Sequence, residues 1–565
     1  MGVPLFHCER SGAVLNAHGN RWTKFGNLKR LTFIRNPASE RMQSSCLKHS
    51  HIPGTSRIFT DYLYHFDRVA KFYSEDPFDP SSYKRTIEQI QFPAERRRAL
   101  VEALARQNPS SSSLDVLADP GSIAVVTGQQ VGLFGGPAYT IFKALTAVRL
   151  ASRLSDEGSP AVPVFWLATE DHDLAEVDHA WVFNENSVPA RVSADIKASA
   201  GPVGRSVLSD VPIAELKRGL GDLPFAAEVL AMVEQAYRPG RTLGAAFRDL
   251  LTELLRGMGI LFLDPLKPEI RKLAAPFLSD AALRAGCLVE KLQARSKELE
   301  KAGYHAQVNI ESTTSPVFLL DQSRRVTLKL RDGRFITKER TYSASELQSR
   351  ATDISPNALL RPVMQDYILP TVAYVGGPAE VAYMAQAQVV YDELLGRMPV
   401  IVPRNGFTLL DERTWKLIHH YDFQVHELLD HEERVRSRMA DRLVPPELRE
   451  DLNGARAAAQ ATLSDLKSKL SAFDPTLAAA AQKSGGKILY QFEKLARKAA
   501  NETMRRNTKA SADAEYLSNL VYPHRHLQER FFSILPFLAK HGTDVIHTLL
   551  ENTQLDCPDH MVRVV

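Results

Sequence analysis

Apolar runs rich in β-branched residues alternate with helical periodicity in the first third of the chain. Residues 123–126 (Ile-Ala-Val-Val) predict a buried strand, a helix follows to about Leu154, and residues 162–168 predict a second buried strand. The apolar spacing across residues 60–108 is helical. A β-α-β order predicts parallel pairing of the two strands through a right-handed crossover.

The same pattern returns in the second half of the chain. Residues 371–375 predict a strand, and Gly-Gly-Pro-Ala at 376–379 repeats the Gly-Gly-Pro-Ala at 135–138. Proline is favoured at the first position of a helix, so each motif predicts a helix that begins shortly after a strand. Residues 398–403 predict one more core strand. We therefore expect two helix N-termini to face one cleft.

The remaining patterns predict inserted and helical segments. Short strand-like pieces at 203–208, 261–264, 317–320 and 326–330 and a helical stretch near 268–302 predict α+β material between two halves of a sheet. Heptad spacing from 410 to about 511, broken by Phe-Asp-Pro at 473–475, predicts an antiparallel helical hairpin.

The predicted architecture is therefore α/β with a parallel sheet, an insertion and a helical coiled-coil domain. The predicted divisions are 1–41, an extension; 42–180, the first half of the core with N-terminal helices; 181–350, inserted α+β connecting segments; 351–409, the second half of the core; 410–515, the coiled-coil domain; and 516–565, a C-terminal segment that returns to the core.

Composition narrows the class of protein. The 565 residues are 44% hydrophobic and 24% charged, as in a globular protein with several domains. The formal charge of +4 is small for this length, and no apolar run approaches roughly 18 residues, so neither nucleic acid nor membrane is an expected partner. The four cysteines are far apart and fit a reducing compartment better than a disulfide framework or a cysteine-built zinc site.

The first 41 residues differ from the rest. They carry many more Arg and Lys than Asp and Glu and show no apolar periodicity. One interpretation is a basic transit peptide. The other, which we favour, is a disordered or spurious extension before a natural start at Met42.

Acidic and imidazole side chains directly follow the second predicted strand: Glu170, Asp171, His172 and Asp173. Ligand sites of open α/β sheets lie beyond the carboxyl ends of strands, and crowded carboxylates beside an imidazole suit general acid–base catalysis. The same side chains could bind Mg²⁺ through water, or the hydroxyls and amine of a sugar. The structural alternative is a solvated acidic loop. We predict these four residues to be catalytic and predict no metal ligands.

The glycine-rich stretch after the first strand, with its repeat, predicts an anion site. Helix N-termini present unpaired N–H groups and the positive end of the helix dipole. The stretch matches neither the P-loop nor Gly-x-Gly-x-x-Gly, so a tight turn needed only by the fold is the alternative. The candidate substrate- or anion-binding residues are Gly128, Gln129, Gln130, Gly135, Gly136, Tyr139, Thr140, Gly376 and Gly377.

Other residues could meet a phosphate, although ordinary surface hydrogen bonding explains them equally well. The candidate nucleotide-binding residues are Arg404, Asn405, Tyr522, His524 and Arg525. Lys143, in the helix after the glycine stretch, is predicted to face solvent. The Gly-x-Ser-x-Gly and His-Glu-x-x-His signatures are absent from the sequence.

Four long motifs resemble a known family. They are TGQQVGLFGGPAYTIFKA (127–144), PVFWLATEDHDLAEVDH (163–179), SPNALLRPVMQDYILPTVAYVGGPAEVAYMAQ (355–386) and YPHRHLQERFFS (522–533). In order and spacing they are similar to the cysteine ligase family of bacillithiol biosynthesis, BshC, over roughly residues 42–560.

The resemblance implies a Rossmann-type core, similar to that of class I aminoacyl-tRNA synthetases, and a coiled-coil domain through which homodimers form. It implies a cytoplasmic ligase that joins the carboxyl group of cysteine to the amine of glucosaminyl-malate, the last step to bacillithiol. The chain lacks the His-x-Gly-His and Lys-Met-Ser-Lys-Ser motifs of the synthetases and a cysteine/histidine set for zinc. The energy donor is therefore unidentified, with ATP or ADP as the candidates.

Together these observations lead to one hypothesis and two alternatives. We expect a cleft floored by residues 128–136 and 376–377, where helix N-termini hold a carboxylate or a phosphate, with a substrate carboxylate slightly favoured. Residues 170–172 would orient the sugar and take the proton from its amine, with Asp173 as their supporting partner. The alternatives are a metal-dependent hydrolase that uses the same acidic residues, and a non-catalytic coiled-coil scaffold.

Overall fold

The computed structural model describes residues 44–196, 201–321 and 324–565. The predicted extension, residues 1–41, lies outside the described residues. The strands are β1 Ser44–Leu47, β2 Ile123–Gln130, β3 Ala161–Ala168, β4 His179–Phe183, β5 Pro189–Ser193, β6 Leu261–Leu263, β7 Thr314–Asp321, β8 Arg324–Arg331, β9 Arg334–Ile336, β10 Thr341–Tyr342, β11 Ile354–Pro356, β12 Thr371–Gly376, β13 Val400–Pro403, β14 Phe407–Leu410 and β15 His560–Val564.

Helices make up most of the remaining described chain. They are α1 Arg57–Tyr64, α2 Pro80–Glu88, α3 Ala94–Ala105, α4 Ser113–Ala118, α5 Tyr139–Asp156, α6 Ile213–Leu220, α7 Ala226–Ala236, α8 Leu243–Leu254, α9 Pro268–Leu283, α10 Ala285–Lys301, α11 Ala344–Ser349, α12 Leu360–Ile368, α13 Pro378–Leu394, α14 Glu412–His420, α15 Glu432–Leu443, α16 Pro446–Phe473, α17 Pro475–Arg506, α18 Thr508–Val521, α19 Gln528–Phe531, α20 Leu535–His541 and α21 Val545–Glu551.

A parallel sheet with the strand order β13-β12-β2-β3-β6 forms the core. Ala124 and Val126 of β2 pack into one apolar cluster, whereas Ile123 and Val125 pack into another. The strand is therefore buried on both faces, which explains why it reads as a continuous apolar run. The predicted α/β class with a parallel sheet is confirmed.

Strand β2 is longer than predicted, because it continues through Gly128 to Gln130. Gly128 pairs with Trp166 of β3, and a Cβ at Gly128 would lie 2.7 Å from the Trp166 carbonyl oxygen. The missing side chain lets the two backbones approach closely, so this glycine is required by the pairing of the strands and is not part of the loop. Helix α5 begins at Tyr139, two residues after the predicted Pro137, whereas α13 begins at Pro378 as predicted.

The segment predicted as an insertion contributes one strand to the core. Leu261–Leu263 is the edge strand β6, parallel to β3, and not part of a separate layer. Residues 203–208 were predicted as strand-like, but Val203–Arg205 is a 3₁₀ turn, fixed by a hydrogen bond from Gly204 N–H to Thr169 O. A second sheet, β10-β9-β8-β7-β11, is antiparallel throughout.

Helices α16 and α17 form the predicted antiparallel hairpin, called the arm below (Pro446–Arg506). Asp474 caps α17 by accepting a hydrogen bond from Thr476 N–H, and Pro475 occupies the first helical position. Four apolar residues of the predicted seam stay 38–54% exposed: Leu466, Leu477, Ile488 and Leu495. The chain then returns to the core, where β15 pairs with β1 and β14.

Candidate active site

A cleft of about 210 Å³ lies at the carboxyl ends of β2, β3 and β12. It is lined by Gly128, Gln129, Gln130, Tyr139, Lys143, Trp166, Ala168, Asp171, Arg361, Gln365, Tyr374, Gly377, Pro378, Ala379, Glu380, Tyr383, Arg404 and Arg530.

The floor of the cleft is an ion pair between Lys143 and Glu380, with 2.5 Å between Nζ and Oε2. The ammonium also donates to the Gly128 carbonyl oxygen at 2.9 Å. The carboxylate accepts from the Tyr374 hydroxyl and from Gly377 N–H, each at 2.7 Å. The pair thus ties the end of β2 to the N-terminus of α13.

Lys143 was predicted to face solvent, and that prediction is wrong. Its side chain is 4% exposed, because this face of α5 turns toward the end of β2. Burial lowers the pKa of Lys143, and the charge of Glu380 opposes that shift. Burial alone would raise the pKa of Glu380, but Lys143 and Gly377 N–H outweigh it, so this pKa lies below its usual value.

The first glycine loop does not present the open row of N–H groups that the sequence led us to expect. Gly136 N–H donates to the Leu133 carbonyl oxygen at 3.0 Å, and Ala138 N–H donates to the Phe532 carbonyl oxygen at 2.8 Å. These donors are therefore already used at the start of α5. An anion at this loop would therefore have to bind groups other than these two N–H donors, and the anion site at residues 128–136 stays a prediction.

The other glycine-loop candidates are divided among different surroundings. Gln129 and Gln130 line the cleft, as does Tyr139, whereas Gly135 donates its N–H to the Tyr237 hydroxyl away from it. The Thr140 hydroxyl is buried and has no hydrogen-bond partner among the described residues.

At the repeated motif the backbone is also engaged. Gly377 lines the cleft, but its N–H donates to Glu380. The Gly376 carbonyl oxygen accepts from Arg404 N–H at 2.9 Å. The N-terminus of α13 is therefore occupied by a carboxylate of the protein itself, as the helix dipole favours.

Of the four predicted catalytic residues, Asp171 lines the cleft. Its Oδ2 accepts a hydrogen bond from Gln130 Nε2 at 2.8 Å. Burial raises the pKa of Asp171, but the Gln130 hydrogen bond and the charge of Arg361 outweigh it, so the pKa is lowered. Asp171 is therefore a carboxylate, charged at neutral pH, that faces the cleft.

The other three acidic or imidazole residues do not share its position. Glu170 is buried in an ion pair with Arg271, which also donates to the backbone carbonyl groups of Thr352 and Ile354. The His172 side chain is half exposed, and its Nδ1 lies 3.2 Å from Arg325 Nη1. Asp173 is exposed. The structure therefore does not bring the four residues together in the cleft.

Two arginines that sequence reasoning missed face the cleft without a carboxylate partner. Within the described residues, neither Arg361 nor Arg530 forms an ion pair. Burial lowers the pKa of Arg361, but the charges of Tyr383 and Asp171 outweigh it and raise the pKa. Arg404 differs, because Glu529 binds it with two hydrogen bonds of 2.6 and 2.9 Å. Guanidinium groups without a carboxylate partner are suited to binding carboxylates or phosphates.

A second chamber adjoins the cleft and shares Gln129, Gln130, Tyr139 and Arg530 with it. Its wall is an aromatic group that comprises Trp181, His524 and Phe531. The rings of His524 and Phe531 stack at 5.1 Å with 12° between their planes, and Trp181 lies 4.5 Å from Phe531. His524 and Arg525 both have positive φ, 47° and 67°, which is uncommon for residues with side chains.

The remaining nucleotide candidates are not gathered there. Tyr522 packs against the apolar cluster at the base of the arm, and Arg525 lines neither chamber. Asn405 is buried in a double hydrogen bond with the backbone of Gln554. In the described part of the chain, no group of three or more His, Cys, Asp or Glu side chains could hold a metal ion. No helix there is long and apolar enough to cross a membrane.

These features define an α/β protein with a Rossmann-like core, a cleft at its strand ends and a coiled-coil arm. Two family models match the chain: the N-terminal Rossmann-like domain of bacillithiol biosynthesis BshC over residues 42–405, and the C-terminal coiled-coil domain of the same family over residues 407–563. The chain belongs to the BshC family, which confirms the resemblance of the four sequence motifs.

Relatives match along nearly their whole length. A protein of Solibacter usitatus is 49% identical over 93% of this chain and 100% of its own. A protein of Koribacter versatilis is 36% identical over 92% and 99%, and one of Salinibacter ruber is 33% identical over 89% and 95%. Each carries the name "Putative cysteine ligase BshC". The family is thus one of enzymes named for forming a carbon–nitrogen bond.

Proposed function

We propose that this protein joins the carboxyl group of cysteine to the amine of glucosaminyl-malate, the last step of bacillithiol synthesis. The observation that carries the proposal is that two guanidinium groups without an ion-pair partner among the described residues, Arg361 and Arg530, lie in the same cleft as the carboxylate of Asp171. Glucosaminyl-malate is a dicarboxylate with a primary amine, so it needs cationic groups at one end and an anionic group at the other.

The chemistry follows from these charges. The two malyl carboxylates would bind Arg361 and Arg530. Asp171, which remains charged at neutral pH, would accept a hydrogen bond from the sugar amine. This hydrogen bond would orient the lone pair of the amine nitrogen toward the carbonyl carbon of cysteine. The Lys143–Glu380 pair is neutral as a unit, so it shapes the floor without competing for either charge.

Formation of an amide from a free carboxylate is uphill in water, so a co-substrate must activate the cysteine carboxyl group. We propose a nucleotide of the ATP or ADP class for this role. The second chamber supports the proposal, because flat rings such as Trp181 and Phe531 stack with nucleobases. Its shared boundary at Arg530 would bring phosphate groups close to the cleft.

We also propose that the protein is a cytoplasmic homodimer joined through the arm. The apolar side chains Leu466, Ile488 and Leu495 remain about half exposed on the hairpin, and Phe473 at its tip is 84% exposed. An exposed apolar stripe of this kind on paired helices is typical of a surface that a second helix pair covers.

Reconstitution tests the proposal. Purified protein is incubated with isotopically labelled cysteine, glucosaminyl-malate and one nucleoside triphosphate or diphosphate at a time, and the amide product is measured by mass spectrometry. We expect product with at least one nucleotide and none when the nucleotide is omitted. A protein that binds glucosaminyl-malate in calorimetry but releases free malate instead would be a hydrolase, and binding of neither substrate would indicate a scaffold.

A further inference from the structure

Arg325, on strand β8 of the antiparallel sheet, contacts the loop that carries Asp171. Its Nη1 lies 3.8 Å from Asp171 Oδ1 and donates a hydrogen bond to His172 Nδ1 at 3.2 Å. The guanidinium group also lies over the Phe318 ring, with 3.9 Å between Cζ and the ring centroid. The Arg325 side chain is only 8% exposed. The antiparallel sheet therefore reaches the acidic loop through a buried cation whose orientation is fixed.

The same guanidinium group also holds the segment that leads into helix α12. Its Nη2 donates to the Pro356 carbonyl oxygen at 2.8 Å, where strand β11 ends. The next residue, Asn357, caps α12 by accepting hydrogen bonds from two N–H groups at its start, at 2.9 and 3.0 Å. That helix carries Arg361, a cation of the cleft. Arg325 thus joins the loop with the anionic group of the cleft to the segment before its cationic group.

We propose that Arg325 is a positioning residue that sets the place of the Asp171 carboxylate relative to the Arg361 guanidinium group. This inference rests on the proposed function, in which those two groups bind the amine and a carboxylate of one substrate. The planar fork of an arginine fixes two contacts in a set geometry, which a flexible lysine ammonium does not. Arg325 itself does not line the cleft, so it acts on the substrate only through the groups that it holds.

A second arginine joins the same two segments, so a change of Arg325 should leave the protein folded. Arg271 pairs with Glu170 of the loop and donates to the Ile354 carbonyl oxygen of β11. This contact holds the residue before Asp171 and does not touch the cleft carboxylate itself. The Arg271 pair therefore keeps the loop attached to β11, whereas the position of Asp171 depends on Arg325.

Hydrogen–deuterium exchange of the full chain, without substrates, tests whether Arg325 holds the loop. Arg325→Gln removes the charge, and we expect faster exchange in the peptide that contains residues 169–176. Arg324→Gln is the matched control, because Arg324 is the exposed neighbour on the other face of β8. The control should leave exchange in that peptide unchanged. Unchanged exchange in Arg325→Gln would overturn the proposal.

A double-variant comparison in the reconstituted reaction tests whether Arg325 acts through Asp171. Arg325→Gln should lower kcat/KM for glucosaminyl-malate by about 10- to 100-fold, the cost of misplacing a reacting group by about 1 Å. In Asp171→Asn protein the same change should cost less than about three-fold, because the group that Arg325 positions has already lost its charge. Equal losses in the two backgrounds would show that Arg325 acts on the fold alone and would overturn the proposal.

Arg325→Lys separates position from charge. It restores the cation without the planar fork, so kcat/KM should stay at least about five-fold below that of wild type. Full activity of the lysine variant would show that charge alone suffices and would overturn the positioning role. Wild-type protein that forms no product would overturn the ligase proposal, and the exchange measurement would still decide whether Arg325 holds the loop. Circular dichroism and thermal unfolding establish that each variant is folded.

Discussion

Lys143 and Glu380 form a 2.5 Å ion pair that joins the two halves of the parallel sheet. Each residue follows one copy of the repeated Gly-Gly-Pro-Ala sequence, Lys143 in α5 and Glu380 in α13. The repeat was expected to direct two helix N-termini at a ligand. Instead, the second N-terminus holds Glu380, and the first helix supplies the lysine that neutralises it.

We predict that Lys143→Met destabilises the protein by about 3–5 kcal/mol, because it leaves the Glu380 carboxylate buried without its cation. The double variant Lys143→Met/Glu380→Gln should recover most of that loss, since it removes both charges. Urea unfolding of the full chain measures the difference. Lys469→Met on the arm is the matched control, because its pair with Asp465 is exposed and should contribute less than about 1 kcal/mol. Additive single variants would contradict the coupling.

Arg361→Gln and Arg530→Gln should each raise the KM for glucosaminyl-malate by about ten- to hundred-fold, the value of one hydrogen bond to a charged group. The KM for cysteine should change little. Arg256→Gln removes an exposed arginine that lies just after the end of α8 and serves as the control. The dimethyl ester of the substrate should bind wild-type protein and both variants equally. A variant that loses affinity for acid and ester alike would show that its arginine does not bind the malyl carboxylates.

Asp171→Asn should lower kcat/KM by about 10²–10⁴, since it keeps the shape of the side chain and removes the charge that holds the amine. His172→Ala and Asp173→Asn should each cost less than about ten-fold, because neither side chain lines the cleft. Steady-state rates with saturating cysteine give the comparison. Equal losses in all three variants would restore the four-residue catalytic cluster predicted from sequence.

The features predicted correctly from the sequence are set by residues close together in the chain, whereas the features missed depend on contacts between residues far apart in it. The strand at 162–168, the break at Asp474 and the α/β class follow from apolar runs and capping residues that act over a few positions. The burial of Lys143 depends on Glu380, which is far away in sequence, and no residue near Lys143 in the sequence indicates that contact.

Arg361 was missed for a related reason. It lies in the first turn of α12, before strand β12, whereas ligand-binding residues were expected directly after strands. Its position inside the motif at 355–386 was the one available signal. The opposite holds for the acidic cluster, whose residues are adjacent in sequence but not in the folded protein. The chain turns there, so Glu170 points to Arg271 and Asp171 points into the cleft.

Gly128→Ala should destabilise the protein by about 1–3 kcal/mol, because the added methyl group would meet the backbone of the neighbouring strand at Trp166. Gly486→Ala is the matched control. A Cβ at that position of α17 meets open space, so this change should stabilise the arm by about 0.5–1 kcal/mol. We therefore expect the midpoint temperature of thermal unfolding to fall in Gly128→Ala and to rise in Gly486→Ala. An unchanged stability of Gly128→Ala would mean that strands β2 and β3 can move apart enough to fit the methyl group at little cost.

Asp366 provides a prediction about pH. Its side chain is buried, and neither carboxylate oxygen accepts a hydrogen bond from the described residues, although the Thr371 and Tyr391 hydroxyls lie nearby. Burial raises the pKa of Asp366 from 3.8 to about 6, with the charge of Arg397 opposing the shift. Between these two values the folded state holds a proton that the unfolded state has lost. Stability from this group is therefore greatest below about pH 4 and declines as the pH rises to about 6.

Asp366→Asn removes this titration, so the free energy of unfolding of the variant, relative to wild type, should rise by about 3 kcal/mol between pH 4 and pH 7. Any loss of stability that the new amide group causes by its packing is the same at every pH, so it does not affect the change of this difference with pH. Urea unfolding at half-unit pH steps measures it, and Asp465→Asn on the exposed arm should show no such rise. A difference that stays constant across the range would mean that Asp366 is already ionised at pH 4 in the folded protein.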